Sequence, residues 1–233
     1  MQYKTLSIIM PVYNELKTIE TILDQVKKAD SLGLKKEIVV VDDGSKDGTR
    51  ELLRKYKDSM VKVFFHSENQ GKGAAVRTGI EKSTGDIILI QDADLEYHPD
   101  EYPVLIEPFL KSADTQVVYG SRELSGKNRH SSVLFHAGGK SVTTMTNILY
   151  GSRLTDVPTC YKAFKRDLVM ELPLRCKRFE FCPEVTAHVL KRGIPILEVP
   201  IKYTARNSKE GKKIKVRDGL EAFWTLIRCR VGA

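Results

Sequence analysis

Short apolar runs alternate with helix-like segments through the first part of the chain, and this alternation limits what the chain can fold into. The runs cover residues 6–10, 37–41, 61–65 and 87–90. Between them, apolar residues recur every three or four positions, as in segment 16–26, which indicates helices. Strands that alternate with helices predict an α/β fold with a mostly parallel central sheet and helices on both faces.

The fourth apolar run leads directly into three carboxylates, Asp92, Asp94 and Glu96. Residues two apart on an extended backbone point to the same side, and open α/β folds bind ligands at the carboxyl ends of their strands. Clustered carboxylate oxygens suit Mg²⁺ or Mn²⁺. The pattern therefore predicts a metal site that holds a diphosphate. A solvated acidic turn is the alternative, because so short a motif is common.

Polar or glycine-rich residues also follow the other predicted strands, at 11–15, 42–45 and 69–73. Because the ends of parallel strands meet at one edge of a sheet, we expect these segments to lie beside the carboxylates. The amides of the loop around Lys72 open a predicted helix, where an anion is favoured. Ordinary turn and cap chemistry is the alternative for each segment. Neither a P-loop nor a G-x-G-x-x-G motif is present.

The composition favours anionic partners. The formal net charge is +8, from 38 basic and 30 acidic residues, and the 233 residues fit a single α/β domain. No recognised nucleic-acid-binding motif is present, and an acidic rim repels phosphate backbones, so we expect no nucleic-acid partner.

Four cysteines without a C-x-x-C pair predict free thiols. Without a signal peptide or an apolar run near the ~20 residues of a membrane span, a cytoplasmic location without a transmembrane segment is predicted.

The C-terminal part carries a basic loop and then a basic amphipathic helix, over about 206–215 and 216–230. A flexible basic loop beside a diphosphate can act as a lid that neutralises leaving-group charge, whereas a solvated face is the plainer interpretation. The helix fits peripheral docking on an anionic membrane surface. Core packing by its apolar residues, Phe223, Trp224 and Ile227, explains the helix equally well.

Taken in order, the motifs are more specific than any one of them. The set comprises residues 11–15, 41–49, 69–75, 85–86 with 92–94, 120–122, 179–181, 198–201, and 206 with 211–214. This set resembles the family 2 glycosyltransferases with the GT-A fold, and most closely the dolichyl- or polyprenyl-phosphate mannosyl- and glucosyltransferases. The resemblance implies a single GT-A catalytic domain over residues 1–233. Its nucleotide-binding half would cover about 1–122, and its acceptor-side half, with the C-terminal helix, about 123–233.

The same resemblance implies roles for individual residues on the donor side. The residues lining the base and ribose would be Pro11, Tyr13, Glu15, Val41 and Asp43. The sugar-nucleotide would be held by Asp92, Ala93 and Asp94. The diphosphate would be gripped by Arg206 and Lys213, with Lys212 as the alternative to Lys213. The metal, Mg²⁺ or Mn²⁺, would be bound by Asp92, Asp94 and Glu96.

On the acceptor side, the resemblance implies that Arg122 contacts a phosphate, with Arg129 and Lys140 as further acceptor contacts. Asp92, Asp94 and Arg122 would form the catalytic set. The implied reaction is an inverting transfer of a hexose from GDP-mannose or a UDP-hexose to a polyprenyl or dolichyl phosphate. The acceptor phosphate is already anionic, so no strong general base is needed.

The alternative is a soluble family 2 enzyme that forms a glycosidic bond on a sugar hydroxyl. That hydroxyl must lose a proton, for which Glu180 or Glu184 would be the candidate base. The sequence does not choose among the possible sugars and nucleotides.

Overall fold

A seven-stranded sheet forms the centre of the protein in the computed structural model, which describes residues 3–126, 128, 133–206 and 216–232. The strands are β1 (Thr5–Val12), β2 (Lys35–Asp42), β3 (Val61–Phe65), β4 (Ile87–Ile90), β5 (Val117–Ser121), β6 (Lys162–Lys165) and β7 (Leu197–Pro200). Their order across the sheet is β3-β2-β1-β4-β6-β5-β7. All neighbours are parallel except β6, which runs antiparallel to β4 and β5.

Helices cover both faces of this sheet, as the alternating pattern predicts. They are α1 (Ile19–Lys28), α2 (Thr49–Lys55), α3 (Lys72–Lys82), α4 (Tyr102–Lys111), α5 (Val133–Tyr150), α6 (Arg166–Met170), α7 (Phe181–Lys191) and α8 (Val216–Val231), with a short 3-10 helix at Pro99–Glu101. Side chains alternate along β1, so Ile8 joins the core under α1 and α4, whereas Ile9 joins the core under α3 and α7.

Strand β1 extends beyond the apolar run 6–10, through Pro11 to Val12. Pairing between β1 and β4 stops at Ile9 opposite Ile90, so Pro11 is paired only with Val41 of β2. A proline is tolerated in a strand where its missing N–H is not needed by a neighbour. Pro11 therefore lies where the central strand has become an edge on one side.

Helix α5 is continuous through Gly138 and Gly139, although glycine is unfavourable inside a helix. It is held by a third, smaller core that it shares with α7 and α8, in which Val142 packs near Leu226. The Tyr150 hydroxyl donates a hydrogen bond of 2.8 Å to the Leu226 carbonyl oxygen. Among the helices described, none combines the length and apolar character needed to cross a bilayer.

Candidate active site

A cavity of about 1140 Å³ opens at the carboxyl ends of the strands, walled on its other side by α5 and the start of α8. It brings together most of the residues selected from the sequence, namely Pro11, Tyr13, Glu15, Asp43, Asp92, Ala93, Asp94, Glu96, Arg122, Lys140 and Arg206. The Val41 side chain is instead fully buried in the core beneath β2. Lys212, Lys213 and Arg129 lie outside the described residues.

Asp92 is held by a lysine from the glycine-rich loop. The Lys72 ammonium lies 2.6 Å from one Asp92 carboxylate oxygen and 2.8 Å from the other. Burial opposes ionisation of this carboxyl, but the paired ammonium keeps the pKa of Asp92 below its usual value. Asp92 is therefore an ionised carboxylate with one cation already fixed against it.

Asp94 and Glu96 share a different cation, the guanidinium of Arg206. That group lies 2.9 Å from an Asp94 oxygen, 3.8 Å from a Glu96 oxygen and 3.3 Å from a Glu15 oxygen. Burial, together with the charges of Asp92 and Glu96, raises the pKa of Asp94 to about 7 against the opposing pull of Arg206. Negative charge is thus in excess around Asp94.

This donor set fits a divalent cation. Oxygen ligands on alternate residues and an excess of buried negative charge are what Mg²⁺ and Mn²⁺ select, and Arg206 supplies a stand-in positive charge at the same carboxylates. As the side chains stand, no three His, Cys, Asp or Glu groups within the described parts of the chain are grouped to hold one ion. Asp92 is paired with Lys72, whereas Asp94 is paired with Arg206, so the two carboxylates are held by different cations.

The backbone amides of the glycine-rich loop bind a carboxylate of the protein itself, that of Asp43, whereas the sequence suggested an anionic ligand at this position. The Asp43 carboxylate accepts hydrogen bonds from the amides of Gln70, at 2.9 Å, and Gly71, at 2.8 Å. The Ala74 amide donates to the Lys177 carbonyl oxygen at 2.9 Å. These amides of the loop and first helical turn therefore fasten the loop to the end of β2 and to segment 176–178.

Arg122 is held at the other side of the cavity. Its guanidinium donates two hydrogen bonds of 2.7 Å to the carboxylate of Asp156, one to each oxygen. Burial alone would raise the pKa of Asp156, but the paired guanidinium keeps it below the usual value. Glu198 in turn accepts the Asp156 amide at 3.0 Å. A fork-to-fork pair of this kind fixes the plane of the guanidinium.

Tyr203 connects the two sides of the cavity. Its hydroxyl donates a hydrogen bond of 2.8 Å to Glu96, while the Arg122 guanidinium lies 5.1 Å from the centre of its ring. The carboxylate cluster and the fixed arginine are therefore separated by a single tyrosine side chain.

Helix α5 contributes Lys140, the last of the predicted site residues that the structure describes. The Lys140 ammonium lies 3.7 Å from a Glu123 oxygen, and the same carboxylate is 3.4 Å from Nδ1 of His136. The Lys140 side chain is 61% exposed, so this ion pair lies at the cavity rim and is weak.

The two glutamates considered as a general base are used elsewhere. Glu184 is 1% exposed and accepts the backbone amides of Arg175 and Cys176 at 2.9 Å. Glu180 accepts the amides of Lys177 and Arg178 at 3.2 Å. Neither side chain lines the cavity. Both organise the backbone before α7, and the prediction of a base at these positions has no support in the geometry.

Sequence reasoning missed three side chains of the site: Lys72, Asp156 and Tyr203. Lys72 stood in a motif that had been noted for its amides, so its charge was the available signal. Asp156 and Tyr203 lie in segments without a motif, and their partners are 34 and 107 positions away in the chain. Only the fold brings them to the cavity.

The mostly parallel α/β sheet, with a carboxylate cluster and a fixed arginine at its strand ends, has the architecture of the GT-A fold. The chain belongs to glycosyl transferase family 2, whose sequence profile matches residues 7–172.

Two curated relatives are similar over almost the whole chain. One is a UDP-N-acetylglucosamine–dolichyl-phosphate N-acetylglucosaminyltransferase of Methanococcus voltae, 28% identical over 100% of this chain and 98% of that protein. The other is a dolichyl-phosphate beta-glucosyltransferase of Trichomonas vaginalis, 28% identical over 98% of this chain and 75% of that protein.

A solved structure with the same fold is glucosyl-3-phosphoglycerate synthase of Mycobacterium tuberculosis, crystallised with Mn²⁺, uridine diphosphate and phosphoglyceric acid. It superposes with a TM-score of 0.76 at 21% identity, covering 98% of this chain and 78% of that one. The likeness establishes the fold of the present chain.

Proposed function

We propose that this glycosyltransferase moves a hexose from a nucleotide-diphosphate sugar to a polyprenyl or dolichyl phosphate, with inversion at the sugar. One observation carries the proposal: Tyr203 contacts both Glu96 of the carboxylate cluster and the fixed guanidinium of Arg122. A donor diphosphate at the carboxylates and an acceptor phosphate at the arginine would then meet across one side chain. The curated relatives named for dolichyl phosphate support this choice of acceptor.

The donor would occupy the side of the cavity that holds Tyr13, Glu15 and the carboxylates. Asp92, Asp94 and Glu96 would hold a divalent cation, Mg²⁺ or Mn²⁺, which when bound places positive charge on the diphosphate. Lys72 keeps Asp92 ionised and positioned, and Arg206 is close enough to turn from the carboxylates to the phosphates. Positive groups aimed at the departing diphosphate stabilise the charge that develops there.

The acceptor would present its phosphate to Arg122. Asp156 fixes that guanidinium through two of its nitrogens, so its position does not have to be organised during the reaction. An acceptor phosphate oxygen attacks the anomeric carbon and forms the new C–O bond. The bond from that carbon to the diphosphate breaks on the opposite side, its electron pair leaves with the nucleoside diphosphate, and no proton is moved.

A phosphate acceptor also agrees with the placement of the two glutamates considered as a general base. A sugar hydroxyl would need a base, and Glu180 and Glu184 both hold backbone amides outside the cavity. We further propose that the protein works at a membrane surface, because a polyprenyl phosphate keeps its apolar chain in the bilayer.

The test is a donor screen with a detergent-solubilised polyprenyl phosphate and either Mn²⁺ or Mg²⁺. We expect one of GDP-mannose, UDP-glucose or UDP-N-acetylglucosamine to yield an acid-labile glycosyl phosphate. Asp94→Ala should abolish the product, whereas Lys202→Ala, at an exposed lysine beside Glu101, should retain it. An acid-stable glycoside as the only product, or full activity of Asp94→Ala, would contradict the proposal.

A further inference from the structure

We infer that the outward apolar face of helix α8 inserts into the surface of an anionic bilayer, and so brings the cavity to the membrane that holds the acceptor. We call this face the α8 stripe; it consists of Leu220, Trp224, Ile227 and Val231. The inference rests on the proposed function, which supplies the lipid acceptor.

The α8 stripe is exposed, although its side chains are large and apolar. The exposed fractions are 68% for Leu220, 64% for Trp224, 38% for Ile227 and 72% for Val231. Their spacing of four, three and four positions places them on one face of an α-helix. The buried residues Ala222, Leu226 and Cys229 lie on the opposite face and pack against α5 and α7. The stripe is therefore additional to the core-facing side of the helix.

The charges beside the stripe favour a lipid surface as its partner. Arg217 and Arg230 lie near the two ends of the helix and are exposed, and the whole chain carries a net charge of +8. Arg217 is 66% exposed and lies 3.1 Å from Glu221 on the next turn. Tryptophan among basic residues on an amphipathic helix is typical of segments that lie in the interface of anionic membranes.

The same helix forms part of the cavity wall. Asp218, Gly219 and Ala222 line the cavity from the side of α8 that faces the protein. A helix with its side chains is ~10 Å thick, so a bilayer against the α8 stripe would lie about one helix diameter from the cavity. A lipid phosphate bound in the cavity would then lie close to the bilayer that holds its isoprenoid chain.

Trp224 is the only tryptophan in the chain, so its emission reports on the stripe directly. With the full chain and vesicles of phosphatidylcholine and phosphatidylglycerol, we expect a blue shift of the emission and quenching by brominated lipid. Both effects should weaken in pure phosphatidylcholine and at high salt, since basic residues attract the anionic headgroups.

The test variant is the double substitution Leu220→Glu with Ile227→Glu, which leaves Trp224 as the reporter. We expect vesicle partitioning to fall by at least about tenfold, because the variant lacks two apolar side chains whose transfer from water into the bilayer favours binding. The matched control is Val104→Glu on α4, a 39% exposed valine on a helix that packs on the other face of the sheet through Leu105 and Ile106. That control should bind vesicles like the wild type, and circular dichroism should show that all the variants are folded.

Two outcomes would overturn the inference. One is an unchanged Trp224 emission of the wild type on anionic vesicles. The other is a blue shift that depends on protein concentration without lipid, accompanied by a dimer in sedimentation, which would make the stripe a subunit interface. Transfer to a water-soluble, short-chain acceptor phosphate separates the two claims. If it persists while vesicle binding is absent, only the membrane surface is wrong; if it is absent while vesicle binding holds, the proposed function is wrong.

Discussion

At the scale of single residues, the most informative side chain is Arg206, because it neutralises carboxylates that the donor and its metal would also need. Its guanidinium contacts Glu15, Asp94 and Glu96 together, and its backbone amide donates a further 2.8 Å hydrogen bond to Glu96. A metal ion would have to displace this internal cation, and the displaced guanidinium would then be available to the diphosphate.

Arg206→Ala should therefore change metal and nucleotide binding in opposite directions. Without nucleotide, Mn²⁺ should bind at least roughly tenfold more tightly, because a competing charge is removed at contact distance. Binding of the nucleoside diphosphate in the presence of the metal should weaken. Paramagnetic resonance of free Mn²⁺ and calorimetry measure the two effects. Lys202→Ala serves as the control, and Mn²⁺ binding that is unchanged or weaker in Arg206→Ala would refute the competition.

A second residue-scale prediction concerns Lys162, whose side chain is fully buried in β6. Burial lowers the pKa of its ammonium to about 8, although it donates to the Val157 carbonyl at 3.0 Å and lies 3.3 Å from the centre of the Tyr119 ring. Between pH 8 and the ordinary lysine pKa of 10.5 the unfolded chain binds more protons than the folded one, so the stability of the wild type rises with pH in this window.

Lys162→Met removes that dependence. Relative to the wild type, its free energy of unfolding should fall by about 2 kcal/mol as the pH is raised from 8 to 10. Urea unfolding at a series of pH values measures the difference. Lys202→Met, at an exposed lysine, should show no such trend. A constant difference between wild type and Lys162→Met across the window would show that the ammonium is not destabilised by burial.

At the scale of elements, the sequence predicted those strands and side-chain positions that a local pattern of residues determines. Strand β4 is a continuous apolar run, and the carboxylates after it are placed by the strand end itself. Strand β6 begins at Lys162 and has no such run, so it was missed. The pairing of Lys72 with Asp92 joins residues 20 positions apart, and it depends on how α3 meets β4. Contacts of this kind follow from packing and not from local pattern.

Helix α3 shows how tightly its first turn is packed against the segment before α7. A Cβ built on Gly73 would lie 2.7 Å from the Cys176 carbonyl oxygen and 2.8 Å from that of Arg178. The backbone carbonyls cannot rotate away as a side chain can. Since Arg178 and Phe179 line the cavity, a shift of this segment also moves the cavity wall.

Gly73→Ala should therefore destabilise the protein by about 1–3 kcal/mol and reduce transferase activity. The matched change is Gly138→Ala in α5, where a built Cβ meets nothing within 4 Å. That variant should be more stable by about 0.5–1 kcal/mol, because alanine favours the helix. Urea unfolding of both variants measures the contrast, and equal effects at the two glycines would contradict this account of packing.

At the scale of the whole molecule, the site joins distant parts of the chain. Arg206 and Glu15 are 191 positions apart, and Tyr203 and Glu96 are 107 apart. The sheet brings these segments together, and a ligand that contacts them at once binds the folded state alone. Ligand binding must then stabilise the fold as a whole.

The last prediction uses this coupling to test the metal. With Mn²⁺ or Mg²⁺ and a matching nucleoside diphosphate at about 100 times its dissociation constant, stability should rise by about 2.7 kcal/mol. For a domain of this size the melting temperature should rise by roughly 5–10 °C.

A chelator should cancel the rise, and so should Asp94→Asn, which removes one of the three carboxylates that are expected to hold the ion. Asp94→Asn without ligands should melt no lower than the wild type, because a carboxyl crowded by burial and by Asp92 has been neutralised. Scanning fluorimetry with and without chelator measures each case, and a nucleotide-induced rise of equal size in the presence of chelator would show that the carboxylate cluster binds the diphosphate without a metal.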